Sequence, residues 1–236
     1  MLDIEGKLSA TTDGKYDFDA LVAIIALLRG EDGCPWDKEQ THKSIRNNLI
    51  EEAFELAEAL DEDSAQHMRE ELGDVLLQVV FHSDIERERG RFTVTDVTDA
   101  VVRKLLFRHP HVFGSVQAET SAEVLTNWDV LKAEEKGQDT LHDAVSAVSK
   151  TLPATWRAEK ILKKAWKSDT CAAEGLVAAL KREAGTPQER LSSEVYGLIL
   201  EARRAGLDFE AAIDAANERA VALTGGAPFG QRTGQS

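Results

Sequence analysis

Four acidic residues at helical spacing carry the chemistry that this chain is equipped to do. The stretch from Asn48 to Asp74 holds Glu51, Glu52 and Glu55 in an E-E-x-x-E pattern, then Glu71 and Asp74 in an E-x-x-D pattern. Residues at i and i+3 share one face of an α-helix. Two such helices packed antiparallel would gather Glu52, Glu55, Glu71 and Asp74 into one cluster. Like charges at close range repel and raise one another's pKa, so the cluster calls for a cation. An all-oxygen donor set favours a hard divalent ion, Mg²⁺ or Mn²⁺.

A helical wheel at about 100° per residue separates these acids from an ordinary solvated face. On the first helix Glu52 borders the apolar arc beside Leu56, Glu55 is the next position outward, and Glu51 and Glu58 lie toward the open side. On the second, Asp74 falls between Leu77 and Phe81 on one flank and Val75 and Gln78 on the other, with Glu71 beside Val75. An unpaired carboxylate within an apolar stripe is costly. Two readings of Asp74 stay open on spacing alone: an ion pair to Lys or Arg across a bundle, or a metal site.

The elements that must position these acids are helical throughout. Asp17 or Asp19 can cap a helix through FDALVAIIALLRG, ended by Gly30. The loop EDGCPWDKEQTHKS follows, punctuated by Gly and Pro and carrying Cys34, Trp36 and His42. The first acidic helix is expected from Thr41 to Asp61, and the second from Asp63 or Ser64 to Glu88. Thr93 or Thr95 caps the next, stopped by His109 and Pro110. Ser121 opens a fifth, AEVLTNWDVLKAEEKG. Residues 137–152 look like a connector, and beyond Pro153 four more helical patterns run to residue 223. No segment sustains a period of two, so the fold class is all-α. The second half echoes the first faintly, with a Gly turn and a following helix at Arg204–Gly206 as at Arg89–Gly90, but without the acids.

Composition narrows the function classes. A net charge of −14 over 236 residues argues against a general nucleic-acid or membrane-surface role. The two cysteines, Cys34 and Cys171, form no C-x-x-C, so neither a zinc site nor a disulfide framework is indicated. No apolar run is long enough for a bilayer, and the start is unlike a secretory signal, which together point to a cytoplasmic protein. No Walker P-loop is present.

Three motifs in order, GCPWDKEQTH (Gly33–His42), the paired E-E-x-x-E and E-x-x-D, and RHPHVFG (Arg108–Gly114), resemble the MazG nucleoside triphosphate pyrophosphohydrolases. The resemblance is strong over residues 18–135 and weak beyond. It implies an all-α helical bundle that dimerises and hydrolyses nucleoside triphosphates to the monophosphate and pyrophosphate with Mg²⁺. It assigns Glu52, Glu55, Glu71 and Asp74 as metal-binding acids, Lys104 and Arg108 as cations for the substrate phosphates, and Trp128 and Lys132 as a W-x-x-x-K element near the nucleotide. Trp36 is a candidate to stack on a base or to anchor its loop. His109 and His111 flank Pro110, where helix capping or loop packing fits better than catalysis. On this reading residues 1–16 are an arm, 17–136 the pyrophosphohydrolase-like domain, 137–152 a linker, 153–223 a degenerate second copy and 224–236 a tail.

A triphosphate cannot approach four carboxylates without divalent cations between them. Glu55 is the candidate contact for the attacking water, with Glu51 in reserve, and Lys104 and Arg108 would stabilise the leaving pyrophosphate. The family likeness also implies a role in clearing unwanted nucleotides from the pool. Alternatives are a narrower substrate such as dUTP or phosphoribosyl-ATP, and a non-catalytic helical dimer with structural or partner-binding acids. A di-iron bundle expects paired E-x-x-H motifs on core helices, and the one such pattern, Glu39 to His42, lies in a loop.

Overall fold

A computed structural model describes residues 14–115 and 140–224, with residues 120, 123, 124, 128, 131, 132, 135 and 137 between them. The chain divides into two compact units, residues 1–117 and 118–236. Among the described residues there are helices and no strands.

In the first unit α1 spans Phe18–Leu28, and its N-terminus is closed by Asp17, whose Oδ1 accepts from the Ala20 amide at 2.9 Å. The loop expected at Glu31–Ser44 contains a short helix, α2 (Pro35–Glu39), begun by Pro35 in its first turn. The first acidic helix, α3, runs Arg46–Asp61 rather than from Thr41. Thr41 and Ser44 exchange side-chain and backbone hydrogen bonds that hold a turn there instead. The second, α4, spans Ala65–Glu88 and is capped by Ser64, whose Oγ accepts from the His67 amide. Next, α5 (Val94–Arg108) opens with a reciprocal capping box between Thr93 and Asp96. His109 ends it by donating from Nδ1 to the Leu105 carbonyl at 2.7 Å, the capping role anticipated for it. A single further turn, α6 (Pro110–Phe113), follows.

The helices α3 and α4 form an antiparallel hairpin about a turn at residues 62–64, against which α1 and α5 pack through α4. The core of this unit is Ile25, Ile45, Val80, Phe81 and Ile85, with Leu21, Val22, Leu77 and Val94 around it. Only the C-terminal half of α4 enters that core. Glu71 therefore stands at the edge of packed structure rather than in it.

In the second unit α7 (Leu141–Ser146) lies within the stretch expected as a connector, opened by a Thr140–Asp143 capping box and packed on α8 (Ala154–Ser168). Then come α9 (Thr170–Glu183), α10 (Pro187–Arg204) and α11 (Phe209–Leu223). Their core centres on Leu162 and Ile199, with Ala158, Ala165, Ala173, Val177 and Leu200. Ion pairs Arg204–Glu174 at 2.5 Å and Lys181–Glu194 at 2.8 Å tie α10 to α9. The turn before α11 repeats a device of the first unit. Gly206 at φ 70° precedes the Asp208 cap as Gly90 at φ 65° precedes the Thr93 cap, and each occupies the left-handed region that favours glycine.

Candidate metal and nucleotide site

The hairpin brings Glu52 and Glu55 of α3 against Glu71 of α4. Each offers a carboxylate oxygen, and these oxygens all lie within 4.8 Å of one another. Among the described residues, this is the one group of three or more His, Cys, Asp or Glu side chains so disposed. The three differ in exposure: Glu71 is buried at 7%, Glu52 is half-buried and Glu55 is exposed. Asp74, half-buried one turn beyond Glu71, stands outside the three but near enough to act on both Glu52 and Glu71.

Electrostatics in the cluster follow from that crowding. Burial pushes the Glu52 carboxyl above its ordinary range, and the charges of Asp74, Glu55, Glu71 and Glu51 push it further. Burial also raises Glu71, reinforced by Glu55 and opposed by His67. His67, one turn before Glu71, has Nε2 at 3.4 Å from Glu71 Oε1 and Nδ1 at 3.1 Å from Glu62 Oε2. The bond to Glu62 holds the imidazole above its usual range. Glu71 Oε2, by contrast, is buried and has no hydrogen-bond partner. So is Gln78 Oε1, one turn beyond Asp74. Buried acceptors are normally satisfied, and an oxygen left open beside two further carboxylates suits a cation ligand. The donor set is all-oxygen, which fits a hard divalent ion.

The sequence wheel singled out Asp74 as the acid hardest to explain at a surface. In the structure Glu71 is the more deeply buried of the two. The wheel gives the angle of a side chain but not how far neighbouring helices extend over it. His67 went unnoticed although it stands at i−4 from Glu71, a spacing at which side chains meet.

Lys104 and Arg108 lie one turn apart on α5, in the same unit as the carboxylates; Lys104 is half-buried and Arg108 buried. A solvated face is thereby excluded for Arg108. Trp36 is 60% exposed on α2. Trp128 and Lys132 are half-buried residues of the second unit, and most of the helix expected at 122–137 lies outside the described residues.

Residues 40–113, which contain the hairpin and α5, match the MazG nucleotide pyrophosphohydrolase domain. A Thermotoga maritima protein named nucleoside triphosphate pyrophosphohydrolase/pyrophosphatase MazG is 38% identical over 215 residues, 86% of this chain and 82% of that protein. The chain belongs to the MazG family. The nucleoside triphosphate pyrophosphohydrolase of Escherichia coli K12, also similar, is 39% identical over 191 residues, 80% of this chain and 69% of its own length. The uncharacterized protein YabN of Bacillus subtilis is 47% identical over 148 residues, but those make up 30% of its length. MazG-type similarity thus runs through both units of the present chain, while the acids converge in the first.

Proposed function

We propose that this MazG-family chain hydrolyses nucleoside triphosphates, ribo- or deoxyribo-, to the monophosphate and pyrophosphate, using Mg²⁺, in cytoplasmic clearance of the nucleotide pool. The observation that carries the proposal is the convergence of Glu52, Glu55 and Glu71, one of them with a buried, unpartnered carboxylate oxygen, inside the segment that matches the family.

Glu52, Glu55 and Glu71, with Asp74 beside them, would hold the ion. When bound, Mg²⁺ supplies Lewis acidity toward phosphate oxygens and lowers the pKa of a coordinated water. Glu55, the most exposed of the three, is placed to accept the proton of the attacking water. Water oxygen joins phosphorus at the α–β anhydride, the bridging bond breaks, and the electron pair leaves with pyrophosphate. Lys104 and Arg108 balance charge on the phosphates, Arg108 with a guanidinium fork and Lys104 as a point charge. Trp36 can stack on the base.

The proposed assembly is a homodimer. Apolar side chains that a lone unit leaves in water support it: Ile50 and Phe54 on α3, Leu72, Leu76 and Val79 on α4, and Val102 and Leu106 on α5 are all exposed. Exposed apolar area on this scale marks interaction surfaces. The degenerate second copy, residues 153–223, serves stability and assembly rather than chemistry. Among the described residues no helix is long and apolar enough to cross a membrane. Pyrophosphate release measured across the common nucleoside triphosphates, with and without Mg²⁺, tests the proposal; release that EDTA leaves intact overturns it.

A further inference from the structure

The segment carrying Trp36 is fastened to α4 by side chains that take no part in the carboxylate cluster. Arg29, buried at the end of α1, donates to the Asp37 carbonyl at 2.5 Å and the Gln40 carbonyl at 3.3 Å. At the far end of the segment His42 reaches α4 twice. Its Nε2 meets Glu86 Oε1, and its Nδ1 lies 2.8 Å from His82 Nδ1, with ring centroids 5.1 Å apart and planes inclined by 20°. Glu86 is buried and also accepts from Arg89 at 3.2 Å and Arg91 at 2.5 Å.

A nitrogen–nitrogen hydrogen bond needs one donor and one lone pair. If His42 is protonated, it donates to Glu86 and to a neutral His82. If both rings are neutral, His82 donates to His42 Nδ1 and His42 still donates to Glu86. If both rings are protonated, two N–H groups face each other, two like charges meet, and the contact is lost.

We propose that His42, through Glu86 and His82, is a positioning residue that fixes the Trp36 segment for nucleotide binding, and that protonation of both rings releases it. The proposal rests on the nucleotide reading of the site. The charged groups facing the pair are accounted for by element. Glu86 comes from α4 itself, and Arg89 and Arg91, both directed at Glu86, come from the turn after it. Arg29 of α1 is engaged with Asp84 and Glu88, and Arg87 with Asp84. Burial, helped by the neighbouring His42 ring, holds the His82 imidazole below its usual range. The contact is therefore present at neutral pH and lost as pH falls through that lowered value.

Steady-state pyrophosphate release between about pH 5 and 8, combined with backbone hydrogen exchange of residues 36–42 at neutral pH, tests this. His42→Ala should raise KM about tenfold with kcat nearly unchanged and speed exchange across the segment. His42→Gln, whose amide can still donate to Glu86, should recover most of both. Wild-type KM should climb on the acid side, and His82→Gln, which takes no proton, should remove that climb. Wild-type KM and exchange in His42→Ala, or an acid-side climb as large in His82→Gln as in wild type, overturns the proposal. A wild-type protein that releases no pyrophosphate overturns the enzymatic reading instead, and unchanged exchange in His42→Ala then separately overturns the clamp.

Discussion

Glu71 Oε1 lies 3.4 Å from His67 Nε2, while its Oε2 is buried and meets no donor. Half of this carboxylate is thus compensated by its own helix and half meets no donor, in a group that also holds Glu52 and Glu55 of the other helix. That asymmetry organises the site, since one helix supplies a partial counter-charge and the remainder must come from outside the chain.

The first consequence concerns metal-free protein. Removing a charge from a crowded carboxylate group relieves repulsion, so Glu52→Gln and Glu71→Gln should each melt above wild type in EDTA. Added Mg²⁺ should raise the Tm of wild type and leave that of the variants little changed. Scanning calorimetry of the three proteins with and without Mg²⁺ checks both; a variant that melts below wild type in EDTA contradicts the repulsion.

Arg29 offers a test of how the first unit is held. Its side chain is 3% exposed, pairs with Asp84 at 3.4 Å and Glu88 at 2.7 Å, and lies 5.0 Å from the Phe81 ring centre. Arg29→Ala strips a buried pair of its cation and should cost about 3–5 kcal/mol, read from urea denaturation. A loss well under 1 kcal/mol would show that water reaches the pair.

Much of this architecture is legible in the sequence, and the reasons differ by element. Ser64, Thr93 and Asp17 announce helix starts because capping is local chemistry, decided within three residues. The acidic hairpin is legible because two i,i+3 pairs bracket a short polar break. Pro35 could have signalled α2, since proline fits the first turn of a helix, but five residues carry too little periodicity to register. The clamp of Arg29, His42, His82 and Glu86 could not have been read. The bonds that tie it to α4, from His42 to His82 and Glu86 and from Arg29 to Glu88, join residues 40 to 59 apart, and nothing in spacing links them until α1 and α4 pack.

Glu86 predicts a pH effect. The bonds from Arg91 and His42 hold its carboxyl down at about 2, against an ordinary 4.5. A depressed carboxylate stabilises the fold above its unfolded value and loses that contribution as pH falls through the folded one. Wild-type stability should therefore fall between about pH 4.5 and 2 more steeply than that of Glu86→Gln, which should already be weaker at neutral pH. Parallel slopes in thermal melts across that window would contradict it.

Residues 153–223 should matter to stability and not to chemistry. Leu162 is fully buried at their centre, and Leu162→Ala should cost about 2–5 kcal/mol while folded protein keeps its kcat. A parallel loss of kcat in protein shown to be folded would place those residues in the reaction.

Dimerisation is tested on α5. Val102 and Leu106 are exposed one turn apart, and the double substitution Val102→Glu with Leu106→Glu should turn a dimer into a monomer by light scattering. An unchanged mass would place the interface elsewhere.

Pyrophosphate release from a nucleoside triphosphate in Mg²⁺ by wild type and by Glu71→Gln, which differ at one carboxylate oxygen, is the sharpest test of a metal held by the hairpin. Mg²⁺-dependent release is expected from wild type, and a loss of at least about a hundredfold in the variant at unchanged helicity. Release by Glu71→Gln at the wild-type rate would contradict it.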